Sequence, residues 1–264
     1  MYYCRMIYVK DRFGSRMEIF MKILAIDSSG LVATVAIVED DNLIAEYTIH
    51  HKKTHSQTLM PMLDEVKQMV ELELDTVDAI AVASGPGSFT GLRIGAATAK
   101  GLALGLNKPI IEVPTLEGLA YQMYGAAALV CPILDARRNQ VYTGLYQFEA
   151  AEDGYHMEAL KEGCACDIME CIEIVNGFEQ PVIFLGDGVP VFEALIREHA
   201  TVPVMFAPAH RRLQSAASVG ALAIEFAKEG RFVEARDHAP EYFRMSQAER
   251  ERMEAAQKSQ GSEA

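Results

Sequence analysis

With 264 residues, half of them hydrophobic and 23% charged, the chain has the length and composition of a globular protein with one large domain or two modest ones, and is not a disordered chain. Its 37 acidic against 24 basic residues give a formal charge of −13, which excludes a surface built throughout as a nucleic-acid platform. No apolar run reaches the length of a membrane span, and five cysteines without disulfide-scaffold spacing point to the reducing cytoplasm.

Residues 1–20, "MYYCRMIYVKDRFGSRMEIF", are broken by charges and do not read as a signal peptide. They are expected to be an extra segment ahead of the domain, with Met21 the natural start. From Lys22 the runs "KILAID", "VATVAIV" and "LIAEYTI", separated by Ser-Ser-Gly and by Glu39-Asp40-Asp41-Asn42, predict a three-stranded meander. Leu59, Met62, Leu63, Val66, Met69 and Val70 then recur at helical spacing, with Thr54 and Ser56 as candidate caps. Pro61 is expected to kink this helix or delay its start. A strand over Ala79–Ala83, a helix over Leu92–Leu106, a strand at Ile110–Val113 and a helix from about Thr115 follow, which makes a mixed α/β layer.

Between that strand and helix lies "SGPGSFTGLRIG", Ser84–Gly95. A glycine-rich turn in this place is where phosphates are often held. The stretch fails both nucleotide templates, however. No Lys-Ser or Lys-Thr follows Gly91, and "GPGSFTG" has one residue too many for G-x-G-x-x-G. Gly91, Gly95 and Ala99 instead form a small-residue stripe with Thr98, Gly101 and Gly105 nearby. Since a helical glycine costs about 1 kcal/mol relative to alanine, another backbone is expected to come close. The sheet, a neighbouring helix and a partner chain are all open as that neighbour, and the residues alone favour packing within the chain.

A second set of elements begins near Ala128. "LVCPILDA" and "VYTGLYQF" flank Arg137-Arg138-Asn139-Gln140 as a predicted hairpin, and the acidic stretch Glu149–Glu162 reads as a loop or edge region. "PVIFLGDG" is a predicted strand and turn, followed by helices at Val191–His199 and Ser215–Glu229, the latter closed by Gly230. The charged tail, residues 245–264, lacks an apolar face and is expected to be disordered. The basic pairs Lys52-Lys53, Arg137-Arg138 and Arg211-Arg212 read as solvated edges.

Candidate chemistry is sparse. His51 and His55 stand four apart but at the edge of the predicted helix, and Cys164, Cys166 and Cys171 lack the second ligand pair of a zinc site. Nucleophile motifs are missing. Asp27 and Asp187 end strands where α/β folds gather ligands, and for each a Mg²⁺–phosphate role and a turn-forming role remain open.

"MKILAIDSS" at Met21, "HSQTLMPML" at His55, "AVASGPGSFTGLRIGAATAKGLALGLNKPIIEVPTLEGLA" at Ala81 and "LDARRNQVYTGLY" at Leu134 together resemble the TsaB (YeaZ) family, over nearly the whole chain apart from its tails. The resemblance implies an actin-like ATPase fold of the Hsp70 and sugar-kinase class, with two lobes of mixed sheets flanked by helices. The first lobe would span 21–125, completed by a helix at about 213–230, and the second would span 126–212. It further implies a non-catalytic scaffold that dimerises with the paralogue TsaD to form N6-threonylcarbamoyladenosine at position 37 of tRNAs reading ANN codons. TsaE would be a further partner, the chain alone would be a homodimer, and contact with tRNA would be at most indirect. ATP and metal would belong to partner subunits, with no cofactor held by this chain itself.

TsaD-like proteins carry two metal-binding histidines after the glycine-rich helix, and here Thr115 and Leu119 stand in their places. Asp27-Ser28-Ser29 and Gly186-Asp187-Gly188 are expected to be vestigial nucleotide loops. The implied partner surface is His55, Leu59, Met62, Leu63, Val66, Gly91, Gly95, Thr98, Ala99 and Leu102, beside the methionines Met60, Met62 and Met69. This reverses the preference for internal packing of the stripe. The rival expectations are a metallopeptidase-like (glycoprotease) enzyme and an autonomous actin-fold ATPase.

Overall fold

A computed structural model describes residues 6–7, 18–19, 21–51, 54–152 and 154–244. The tail 245–264 and most of residues 1–20 therefore lie outside the described residues. Two residues of that leading stretch, β1 (Met6–Ile7), pair antiparallel with β2 (Glu18–Ile19).

The first sheet begins with β3 (Lys22–Asp27), β4 (Ala33–Glu39) and β5 (Asn42–Ile49) as the predicted antiparallel meander. It continues with β6 (Ala79–Gly85) parallel to β3 and β7 (Ile110–Pro114) parallel to β6. Its strand order is β5-β4-β3-β6-β7. The central strands read as continuous apolar runs because helices cover both faces, so alternate residues enter two different cores. Leu24, Ile26, Val35, Ile37, Ile80 and Val82 pack on α1 (His55–Met69) and α2 (Phe89–Leu106). Ile23, Ala25, Ala36, Val38, Ala79 and Ala81 pack on α6 (Ala216–Lys228), which returns to this sheet from the far end of the chain. α3 (Thr115–Tyr121) lies between that layer and the second sheet, where Leu116, Leu119 and Ala120 meet Val130 and Leu185.

The second sheet holds β8 (Leu129–Asp135), β9 (Gln140–Ala151), β10 (Gly154–Asp167), β11 (Val182–Leu185) and β12 (Val204–Phe206), in the order β10-β9-β8-β11-β12. Each sheet thus repeats one topology: a meander laid outward, then two parallel strands added on the other side. This duplicated, two-lobed α/β architecture is the one expected from the sequence. α4 (Ile168–Asn176) and α5 (Val189–His199) cover one face of the second sheet.

Several details differ from the sequence reading. Of the two readings open for the acidic stretch 149–162, loop or edge region, the structure takes the second. The stretch is the far end of β9 and most of the edge strand β10, in register from Tyr155↔Ala150 through Glu158↔Gln147, with irregularities between Ala159 and Cys164. An edge strand keeps outward charges and needs few apolar anchors, which hid it from a hydrophobicity pattern. α4 is an addition to the elements expected from the sequence, although Ile168, Cys171, Ile172 and Val175 carry helical spacing and Asp167 caps it by accepting a hydrogen bond from the Met169 amide at 2.9 Å. α1 starts at His55, so Pro61 does not delay it, and Thr54 at the N-cap position makes no side-chain capping bond. α2 begins at Phe89, three residues earlier than expected, because Ser88 caps it by accepting from the Gly91 amide at 3.3 Å.

Candidate functional site

The carboxyl ends of parallel strands are the place at which α/β sheets bind ligands, and residues 241–244 connect the end of β6, at Ser84, with the residue after β8, Ala136. On the first-lobe side β3 ends in Asp27-Ser28-Ser29-Gly30. Asp27 accepts from the Ser29 amide at 2.8 Å and from the Ser29 hydroxyl at 2.6 Å. Burial pushes its carboxyl up to about 6, against the lowering effect of those two bonds. The Ser28 hydroxyl donates to the Gly91 carbonyl at 2.9 Å, the Ser88 amide to the Ser29 carbonyl at 2.7 Å, and His55 Nε2 to the Gly30 carbonyl at 2.8 Å. The first loop is therefore bound on three sides by the chain's own groups.

The glycines of "SGPGSFTGLRIG" make this closure possible. A Cβ at Gly91 would overlap the Ser28 carbonyl oxygen, one at Gly87 the Ser29 carbonyl oxygen, and one at Gly95 would lie 2.7 Å from Ser28 Oγ. Ala99, one turn further on, is fully buried. The backbone that comes close to the stripe is the Asp27–Gly30 loop of the same chain. The expectation that Gly91, Gly95 and Ala99 face a partner is corrected accordingly. Leu59, Met62, Leu63 and Val66 are corrected with them, since all four are buried in the core between α1 and the first sheet. His55 is half-buried with its ring turned to Gly30, and Thr98 and Leu102 are half-buried at the edge of α2.

The outward faces of the same two helices carry other residues. Met60 and Met69 of α1 are 52% and 75% exposed, and Leu104 of α2 is 67% exposed. Next to Leu104, a Cβ at Gly101 or Gly105 would meet nothing, so these two glycines leave a shallow, open strip. Helical periodicity marks the buried side of α1 and the crowded side of α2, and the surface lies about half a turn away.

The other sequence candidates resolve as follows. Thr115 is fully buried with its hydroxyl unpartnered, and Leu119 packs among Leu116, Ala120 and Val130. His51 precedes α1 while His55 opens it, so the two do not share a helix face. Cys131 and Cys171 bring their sulfurs to 3.9 Å inside the second core, where Cys166 is buried as well. Asp187 accepts from the Asp135 amide at 3.0 Å and is held above the ordinary carboxylate range by burial. Gly186 has φ +102°, and a Cβ there would overlap the Ile133 carbonyl oxygen. Asp187 thus ties β11 to the end of β8 as a turn residue.

The sequence reading missed a strap. Residues 241–244, Glu-Tyr-Phe-Arg, run from the first lobe to the second. The Glu241 amide donates to the Ser84 carbonyl at 2.7 Å, and the Tyr242 and Phe89 rings lie 4.9 Å apart with Arg93 Nε donating to the Tyr242 hydroxyl. Phe243 meets Tyr142 edge-on, and Arg244 donates to the Ala136 carbonyl at 2.8 Å. Just upstream, His238 is buried against Glu112 at 2.5 Å while Lys100 holds the His238 carbonyl. The signal available was a pair of adjacent aromatics in an otherwise polar stretch.

Known proteins are similar to this chain in sequence and in fold. The sequence pattern of the family described as "TsaD: tRNA N6-adenosine threonylcarbamoyltransferase" matches residues 42–252. The "tRNA threonylcarbamoyladenosine biosynthesis protein TsaB" of Bacillus subtilis (strain 168) is 38% identical over 178 residues, 67% of this chain and 76% of that protein. TsaB of Escherichia coli (strain K12) is 37% identical over 129 residues, 48% of this chain and 55% of its own length. In three dimensions the chain is similar to YeaZ from Pseudomonas aeruginosa, with a TM-score of 0.69 and 26% identity over 84% of this chain and 99% of that one. Two-thirds of its length aligned at this identity with a TsaB protein, and the whole YeaZ fold reproduced, mean that the chain belongs to the TsaB (YeaZ) family.

Proposed function

We propose that this chain is a non-catalytic subunit of the machinery that forms N6-threonylcarbamoyladenosine in tRNA, and that it acts by pairing with a TsaD-type transferase. The name of its TsaB relatives supports the pathway. The observation that carries the non-catalytic part is the state of the site. Leu119 buries carbon in a core where a metal-binding paralogue would need a ligand, and the Asp27–Gly30 loop spends its groups on Ser88, Gly91 and His55. A phosphate in that loop would have to displace those bonds. The pairing surface is assigned to the outward faces of α1 and α2, where Met60 and Met69 of α1 are exposed and Leu104 of α2 is exposed beside the open strip at Gly101 and Gly105.

Reconstituting the modification from TsaD, TsaE, the synthase that supplies the threonylcarbamoyl adenylate, and tRNA tests this directly. The expected result is modified tRNA only when this chain is added and none from the chain alone. Modification that proceeds unchanged without the chain overturns the proposal. The metallopeptidase-like and ATPase readings are tested by metal analysis and nucleotide binding on the purified chain. Substoichiometric zinc and iron and no tight ATP binding are expected, and stoichiometric metal or tight ATP binding would restore one of those readings.

A further inference from the structure

We propose that the carboxyl end of the second sheet is an RNA phosphate-backbone contact, built from Arg137, Arg138, Arg211, Arg212 and Arg244. This rests on the proposed role in tRNA modification and names the part of the chain that meets the nucleic acid. In the sequence these residues are two isolated pairs and a single arginine. The fold joins them at one corner. Arg137 and Arg138 form the turn after β8, both with positive φ (65° and 57°). The Arg212 carbonyl accepts from the Gly186 amide at 2.7 Å, and neighbouring Asp187 accepts from the Asp135 amide at 3.0 Å, which brings the Arg211-Arg212 segment beside that turn. Arg244 arrives with the strap and donates to the Ala136 carbonyl at 2.8 Å. The Arg137-Arg138 turn and the Arg211-Arg212 segment are thus tied to the knot formed by Asp135, Ala136, Gly186 and Asp187, and Arg244 reaches it through its side chain.

The charge at this corner is not cancelled. Asp135 pairs with Arg137 at 2.9 Å, yet the Arg137 side chain remains 82% exposed. Asp135 and Asp187 are the acidic residues of this knot, and five arginines gather at it. Arg212 and Arg244 bond to the Ala207 and Ala136 carbonyls, which carry no charge to offset theirs. Arg138 and Arg211 are exposed, and their side chains meet no ion-pair partner among the described residues. A chain with a net charge of −13 repels a polyanion as a whole, so binding one requires a local concentration of opposite charge such as this. Guanidinium forks suit phosphate oxygens, and contacts of this kind position a nucleic acid without reading its sequence. Two residues before Arg244, the Tyr242 ring is 38% exposed against Phe89, and Arg93 lies 4.1 Å from the Phe89 ring centre, which adds an aromatic face beside the charges.

The test is fluorescence anisotropy of a labelled tRNA transcript with the full-length chain over a range of salt concentrations, paired with a separate pull-down of the transferase. Arg138 and Arg211 are exposed, so Arg138→Glu/Arg211→Glu should fold normally. It is expected to weaken tRNA binding about tenfold or more and to flatten the dependence of log affinity on log salt by about one for each phosphate no longer neutralised. Transferase pull-down by the same variant should equal that of the unaltered chain. The proposal is overturned if the unaltered chain does not bind tRNA, if the double variant keeps the same affinity and salt slope, or if polyglutamate of equal charge competes as well as RNA. That last result would make the corner a site for acidic protein. A chain that binds tRNA as expected but never pairs with the transferase would instead sink the role proposed above, so the two failures are distinguishable.

Discussion

Leu104→Glu is expected to abolish copurification of this chain with a TsaD-type transferase while leaving its fold intact, and Gly91→Ala is expected to do the reverse. Leu104 is 67% exposed beside glycines whose Cβ positions meet nothing, so a glutamate there costs the free protein little. In a docked complex the same carboxylate would be buried without a partner. A loss of at least about 2 kcal/mol follows, or roughly 30-fold in affinity, as at other interface centres. Gly91 lies on the same helix, but a single methyl there overlaps the Ser28 carbonyl oxygen. The backbone on both sides is held by the bonds of Ser28 to Gly91 and of Ser88 to Ser29, so it cannot move aside cheaply. The cost should reach or exceed the top of the ~1–3 kcal/mol typical of overpacked cores. Chemical denaturation and pull-down, run on both variants, separate the two effects. Unimpaired pairing by Leu104→Glu would remove this face of α2 as the docking surface.

Asp27→Asn is expected to stabilise the protein near pH 8 and to leave its stability near pH 4 almost unchanged. Burial raises the Asp27 carboxyl from an ordinary 3.8 to about 6. Between those values the folded chain holds a proton that the unfolded chain has lost, so stability falls as pH rises through this window and then levels off. The difference of about two pH units corresponds to roughly 3 kcal/mol above pH 6. An asparagine oxygen can still accept from the Ser29 amide and hydroxyl, so about 1–3 kcal/mol of that cost should be recovered. Glu117, pushed up to about 7 chiefly by burial, contributes a second decline in the same direction and persists in the variant. Urea titrations at pH 4, 6 and 8 measure both. A folded Asp27→Asn protein that no longer supports tRNA modification would give this carboxylate a ligand role in place of a turn-forming one.

These expectations differ from those the sequence alone would support, and particular residues show why. The runs "KILAID", "VATVAIV" and "AIAVA" revealed their strands because both faces of the sheet are covered, and the spacing of Leu59, Met62, Leu63 and Val66 revealed α1 because one side of it is buried. The Ser88 cap is present in the sequence, but the glycines after it weaken the helical pattern and mask the true start of α2. β10 showed only as an acidic loop or edge region, and the strap at 241–244 left no signal of a strap, because an edge strand and a short surface crossing bury too few apolar side chains to leave a period.

The candidate site divides along the same line. That Leu119 offers no donor atom was legible, because side-chain chemistry belongs to the residue wherever it sits. The direction faced by the Gly91, Gly95 and Ala99 stripe was not, because a glycine records only that something comes close. Nor was the convergence of Arg137, Arg138, Arg211, Arg212 and Arg244, which depends on hydrogen bonds among segments far apart in the chain. By itself the sequence determined the periodic elements, the family motifs and the side-chain chemistry at each position, all of them properties of residues and their near neighbours. Only the tertiary structure decided which faces are buried and which charges meet, because both are set by contacts between segments that the order of the chain does not place side by side.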